Sequence, residues 1–176
     1  MLGLFAIAIT LSGASAFGSE SLTVRAADLT RRVEAVGADK TLGMLLKDPE
    51  KWASVQKKIT AGTSDWIHVA SLLYRHADGA AREELAYSLA GALVHSPGEI
   101  LLASKISGIS IADICLGPDV DNNAYNSYNS ATRELKLRVA AVTAVAEPAL
   151  RDERDKCLVS LRQARAGLDK FFGREE

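Results

Sequence analysis

The chain has 176 residues, 48% hydrophobic and 24% charged, with 21 Lys+Arg against 22 Asp+Glu for a formal net charge of -1. This length and composition suit one globular domain, and they exclude whole-chain disorder because there is enough apolar side chain to bury a core. The near-neutral balance argues against a protein that coats nucleic acid or anionic membrane, since that binding needs clustered Lys and Arg to neutralise phosphate.

Residues 2–11 form an apolar run, followed by Ser12-Gly13-Ala14-Ser15-Ala16, the small residues a signal peptidase site requires. Ala14-Ser15-Ala16 fits the A-x-A pattern, so residues 1–16 are expected to be a signal peptide and residues 17–176 one helical domain. The positive charge ahead of the run comes from the α-amino group alone. The run is about half of the roughly 20 residues that a membrane-spanning helix needs, and no later segment is long enough either. No cysteine stands at the cleavage site to carry a lipid. The expected location is the periplasm or the outside of the cell. An even cysteine count in an exported chain then reads as one disulfide, Cys115 to Cys157. Neither cysteine has the nearby His or second thiol that a reactive or metal-binding thiol needs.

The first helix is expected over residues 23–36, where Val24, Ala27, Leu29, Val33 and Val36 recur mostly three or four apart before Gly37. A short second helix covers residues 41–46. Asp48-Pro49-Glu50 places a carboxylate at the N-cap and proline at the first helical position; Trp52, Val55 and Ile59 then line one face up to Gly62. Thr63 or Ser64 starts the next helix, with Trp66, Val69, Ala70 and Leu73 as its buried stripe. Leu85, Ala86, Leu89, Ala92 and Leu93 form another stripe after Asp78-Gly79. Ser96-Pro97-Gly98-Glu99 reads as a capping box with proline at N1, and that helix carries Ile100, Leu101 and Ala103. Residues 106–114 are apolar but broken by Ser107, Gly108 and Ser110, and receive no element. Residues 117–130 read as the longest loop, because Asp and Asn side chains bond their own backbone in turns. Residues 131–146 return to helix. Pro148 marks the last one, whose stripe of Leu150, Cys157, Leu161, Ala164, Leu168 and Phe171 puts Cys157 on the buried face. Strand signals are scarce. The fold class is all-α: one domain of about seven to eight helices, either a compact bundle or a short solenoid-like stack, with one disulfide.

The segments Asp48-Pro49-x-x-Trp52, Ile59-x-x-Gly62-x-x-x-Trp66, Ala90-x-Ala92-Leu93-x-x-x-Pro97, Ile114-Cys115 and Arg154-Asp155-x-Cys157-Leu158 together resemble small uncharacterised exported helical proteins of Gram-negative bacteria. The resemblance covers most of residues 17–176. Its motifs are caps, core tryptophans and a cysteine pair, so it implies a periplasmic helical domain with one disulfide and carries over no catalytic residue.

Chemistry-bearing constellations are weak. His68 and His76, eight residues apart on one expected helix, stand about 12 Å apart, too far to share a metal, and His95 falls at a helix end, where a cation is favoured. Gly108-Ile109-Ser110 lacks the second glycine of a nucleophile elbow. Asp119-Val120-Asp121-Asn122-Asn123 has the alternating oxygens of a calcium loop, but Ala124 and Ser130 replace the glycine and bidentate glutamate such a loop needs. Glu83-Glu84 and Lys57-Lys58 read as solvated helix surface. No catalytic, metal or cofactor site emerges. The feature with most recognition character is the loop carrying Asp119, Asp121, Asn123, Tyr125, Asn126 and Tyr128, because tyrosine and asparagine make adaptable contacts at low entropic cost. The sequence therefore favours a non-catalytic binding protein, an inhibitor, immunity-type partner or accessory subunit of an envelope protein, over a small envelope hydrolase with a site assembled from distant residues.

Overall fold

In the computed structural model, residues 24–118 and 127–174 are described; the expected signal peptide and residues 119–126 lie outside them. Among the described residues the chain forms nine α-helices and one 3-10 turn, with no strand. The helices are α1 Ala26–Val36, α2 Ala38–Leu46, α3 Pro49–Thr60, α4 Ser64–Tyr74, α5 Gly79–Ala92, α6 Pro97–Ser107, α7 Ile111–Ile114, α8 Tyr128–Thr143 and α9 Arg151–Phe171. The 3-10 turn, Pro148–Leu150, leads into α9.

Helix α4 is the inner element. It packs against α1, α2, α3, α5 and α6, and accordingly buries Ile67, Val69, Ala70, Ser71, Leu73 and Tyr74. Helix α9 lies along α8 and touches α6 and α7. The result is a compact all-α bundle with one continuous core running from Leu29 and Leu42 through Leu89 and Leu101 to Leu161 and Leu168.

Local chemistry explains the firmest boundaries. The Asp48 carboxylate accepts from the Lys51 backbone N–H at 3.1 Å, with Pro49 in the first turn. Trp52, Val55 and Ile59 are all buried below. Gly62 has φ +77°, and a Cβ there would stand 3.0 Å from the His95 Cβ, so both the left-handed turn after α3 and its approach to the end of α5 require glycine.

Several expectations are corrected. Helix α1 begins at Ala26, and α2 begins directly after Gly37 rather than at Thr41. The capping box at Ser96 does not close: Ser96 is the N-cap residue, but its side chain makes no capping bond, and its Oγ lies 3.3 Å from where a Cβ on Gly62 would sit. The stretch 106–114 does carry structure, because α6 runs to Ser107, Gly108 turns left-handed at φ 67°, and α7 follows. Helix α8 starts at Tyr128, three residues earlier than expected, with the Ser127 hydroxyl accepting from Ser130 N–H at 3.2 Å. His68 and His76 are not on one helix, since α4 ends at Tyr74. Trp66 is only half-buried, and Phe171 is 56% exposed instead of closing the α9 stripe.

The disulfide joins Cys115, just after α7, to Cys157 on α9, with S–S 1.98 Å and Cα–Cα 5.3 Å. Both cysteines are buried. Its loop of 42 residues corresponds to roughly 4 kcal/mol of unfolded-state entropy, an upper-end figure. No described helix is long and apolar enough to cross a membrane.

Candidate functional site

Helix α5 has two faces. Leu85, Ser88, Leu89 and Ala92 point into the core, while Gly79, Arg82, Glu83, Ala86 and Tyr87, at steps of three and four, line an open cleft of about 340 Å³ with Tyr74, Asp113 and Leu116. Tyr87 and Leu116 also line a second cavity of about 360 Å³. Its far wall is α9, where Ser160, Gln163, Ala164, Gly167, Leu168 and Phe171 repeat at the same helical step, and its floor is Cys115, Gly117 and Pro118. The two cavities therefore adjoin as one groove, with charged side chains among the described lining residues at the α5 end and uncharged ones at the α9 end. The exposure of Phe171 has its reason here, because the apolar stripe of α9 continues along the groove beyond the point where other helices cover it.

Three contacts fix the charged end. The Tyr74 hydroxyl, reaching from α4, donates to Asp113 on α7 at 2.6 Å. The Arg82 guanidinium stacks over the Tyr74 ring at 4.7 Å and leaves its Nη2 3.8 Å from Asp113. Burial, and next the bond to Asp113, push the Tyr74 phenol above its ordinary value, while its contact with Tyr74 raises the Arg82 guanidinium further. Glu83 has no bonding partner among the described residues.

The groove floor is held from beneath. Arg138 on α8 is 3% exposed; its Nη1 donates to the Leu116 and Gly117 carbonyls at 2.8 and 3.1 Å, and its Nε to Glu134 at 3.2 Å. These bonds and the disulfide tie the chain after α7 to both α8 and α9.

Of the expected loop residues, Asp119, Asp121, Asn123, Tyr125 and Asn126 lie outside the described residues. Tyr128 is half-buried in the first turn of α8. Its hydroxyl donates to Asp169 at 2.7 Å and accepts from Arg165 at 2.6 Å, and the Arg174 guanidinium covers its ring at 4.3 Å. The Tyr128 hydroxyl, followed by Arg165, holds the Asp169 carboxyl below the usual carboxylate range. Edge-to-face contacts run from Tyr128 to Phe172 at 5.8 Å and from Phe172 to Phe171 at 5.0 Å, linking this cluster to the α9 end of the groove.

Other features stay outside the groove. All three histidines are exposed and none lines it; His76 faces Asp39 at 3.1 Å. Among the described residues no cluster of His, Cys, Asp and Glu could hold a metal. Glu84 is not merely solvated, since it accepts from Trp52 and from Gln56, joining α3 to α5, and Lys58 likewise donates to the Val24 carbonyl. A further hollow of about 570 Å³ is lined, among the described residues, by α8 side chains alone. The chain matches no protein-family model, no curated protein and no solved structure.

Proposed function

We propose that this is an exported, non-catalytic binding protein of the Gram-negative envelope that recognises a protein partner along the groove between α5, α7 and α9. The observation that carries this reading is the groove itself: two adjoining cavities, one with uncharged described lining residues and ending on the exposed Phe171, the other charged and braced by Tyr74, Arg82 and Asp113. Recognition sites combine apolar area with a few fixed polar groups in this way, and a large exposed aromatic at the end of an apolar stripe suits an interaction surface. The disulfide fits an oxidising compartment. Tyr74 and Asp113 are bonded to each other under the Arg82 guanidinium, which fixes the shape of the charged end.

Affinity capture from an envelope extract of the native host tests the reading. The wild-type domain should retain a stoichiometric partner that Phe171→Ser loses; a Tyr125→Ala variant run beside it reports on the expected recognition loop. No retained protein, or retention unaffected by Phe171→Ser, would count against the groove as the binding surface.

A further inference from the structure

Granting that the groove is the binding surface, we infer that its occupant is a partner segment carrying a basic side chain next to apolar ones. The charges on the lining decide the sign. Among the described lining residues Arg82 is the one cation of the charged end, and it is already seated on Tyr74 against Asp113. Glu83 is the surplus charge: it points into the same cavity and no described residue bonds it. It stands one helical turn from Tyr87, at the junction with the second cavity. A lysine or arginine arriving there gains a carboxylate, whereas an acidic group meets Glu83 and Asp113 together. The adjoining wall, where Leu116, Ala164, Leu168 and Phe171 stand with Ser160 and Gln163, presents no charge among its described residues and offers apolar area for aliphatic side chains. The groove therefore selects by sign at one end and by apolar area at the other.

The test is fluorescence anisotropy with the full oxidised domain and two short, end-blocked, fluorescein-labelled peptides, one of leucine and lysine, the other its leucine and glutamate twin. The lysine peptide should bind and the glutamate twin should not, with affinity falling as salt is raised. Glu83→Gln should weaken the lysine peptide about two- to fivefold, the range of an exposed ion pair. Phe171→Ser should weaken it about tenfold, and Glu83→Lys should move the preference toward the glutamate twin. Both positions are exposed, so the variants keep the fold, which circular dichroism verifies. Equal or tighter binding of the glutamate twin overturns the inference, as does binding of neither peptide. If neither binds while an envelope protein is still captured by the wild type and lost by Phe171→Ser, the peptide chemistry falls and the binding reading stands. If both experiments fail, both fall.

Discussion

Gly62 concentrates two constraints in one residue, a positive φ and a 3.0 Å approach to His95. Gly62→Ala should cost about 2 kcal/mol through left-handed strain and crowding, read as a lowered midpoint in denaturant titration with an unchanged slope. Arg138 is the complementary case, a buried cation whose bonds satisfy two backbone carbonyls and one carboxylate. Arg138→Met removes those donors and should cost about 3 kcal/mol, with Arg138→Lys recovering part of it in the same titration. Tyr74 gives a pH signature. Its folded pKa lies above the ordinary 10.0, so its contribution is intact below that pH and is lost as pH climbs through the folded value. Thermal melts at alkaline pH should show this loss in the wild type and less of it in Tyr74→Phe.

At the scale of elements, what was legible in the sequence was what is written locally. Asp48 and Pro49 cap α3 with their own atoms, and Trp52, Val55 and Ile59 bury as their spacing requires. Ser96 shows where local reading stops: the pattern is complete, yet its hydroxyl lies beside Gly62, a neighbour brought there by the packing of α3 and α5. Phe171 failed for a related reason, since its periodicity gives the correct face of α9, but that face changes from core to groove along the helix. Arg138 left a readable trace, a cation among Ala131, Leu135 and Val142 on the buried stripe of α8. The end of the α8–α9 pair has its own pH dependence. Asp169 has a folded pKa below 3.8, so its contribution is present above that value and is lost as pH falls through the folded pKa. Hydrogen exchange at acid pH should show the last turn of α9 loosening in the wild type, with a flatter response in Asp169→Asn.

For the whole molecule, the all-α class, the eight longer helices among the described residues and the disulfide were readable because each rests on composition, periodicity or a count of two cysteines, whereas the four-residue α7 was not. The groove was not, because it is assembled from α4, α5, α7 and α9, elements whose meeting is a property of the packed bundle. Its traces in the sequence were the Glu83-Glu84 pair, which reads as solvated helix surface, and the end of the α9 stripe at Ala164, Leu168 and Phe171, which reads as core. The disulfide spans the floor and far wall of this groove. The double variant Cys115→Ser, Cys157→Ser should therefore lose up to about 4 kcal/mol in denaturant titration and expose the α7 amides to faster exchange. Recognition in the groove is tested by hydrogen exchange of the oxidised domain with and without its captured partner. Slowed exchange in residues 79–87 and 160–171 is the expected result; protection confined to α1, α2 and α3, with those two segments unchanged, would place recognition elsewhere.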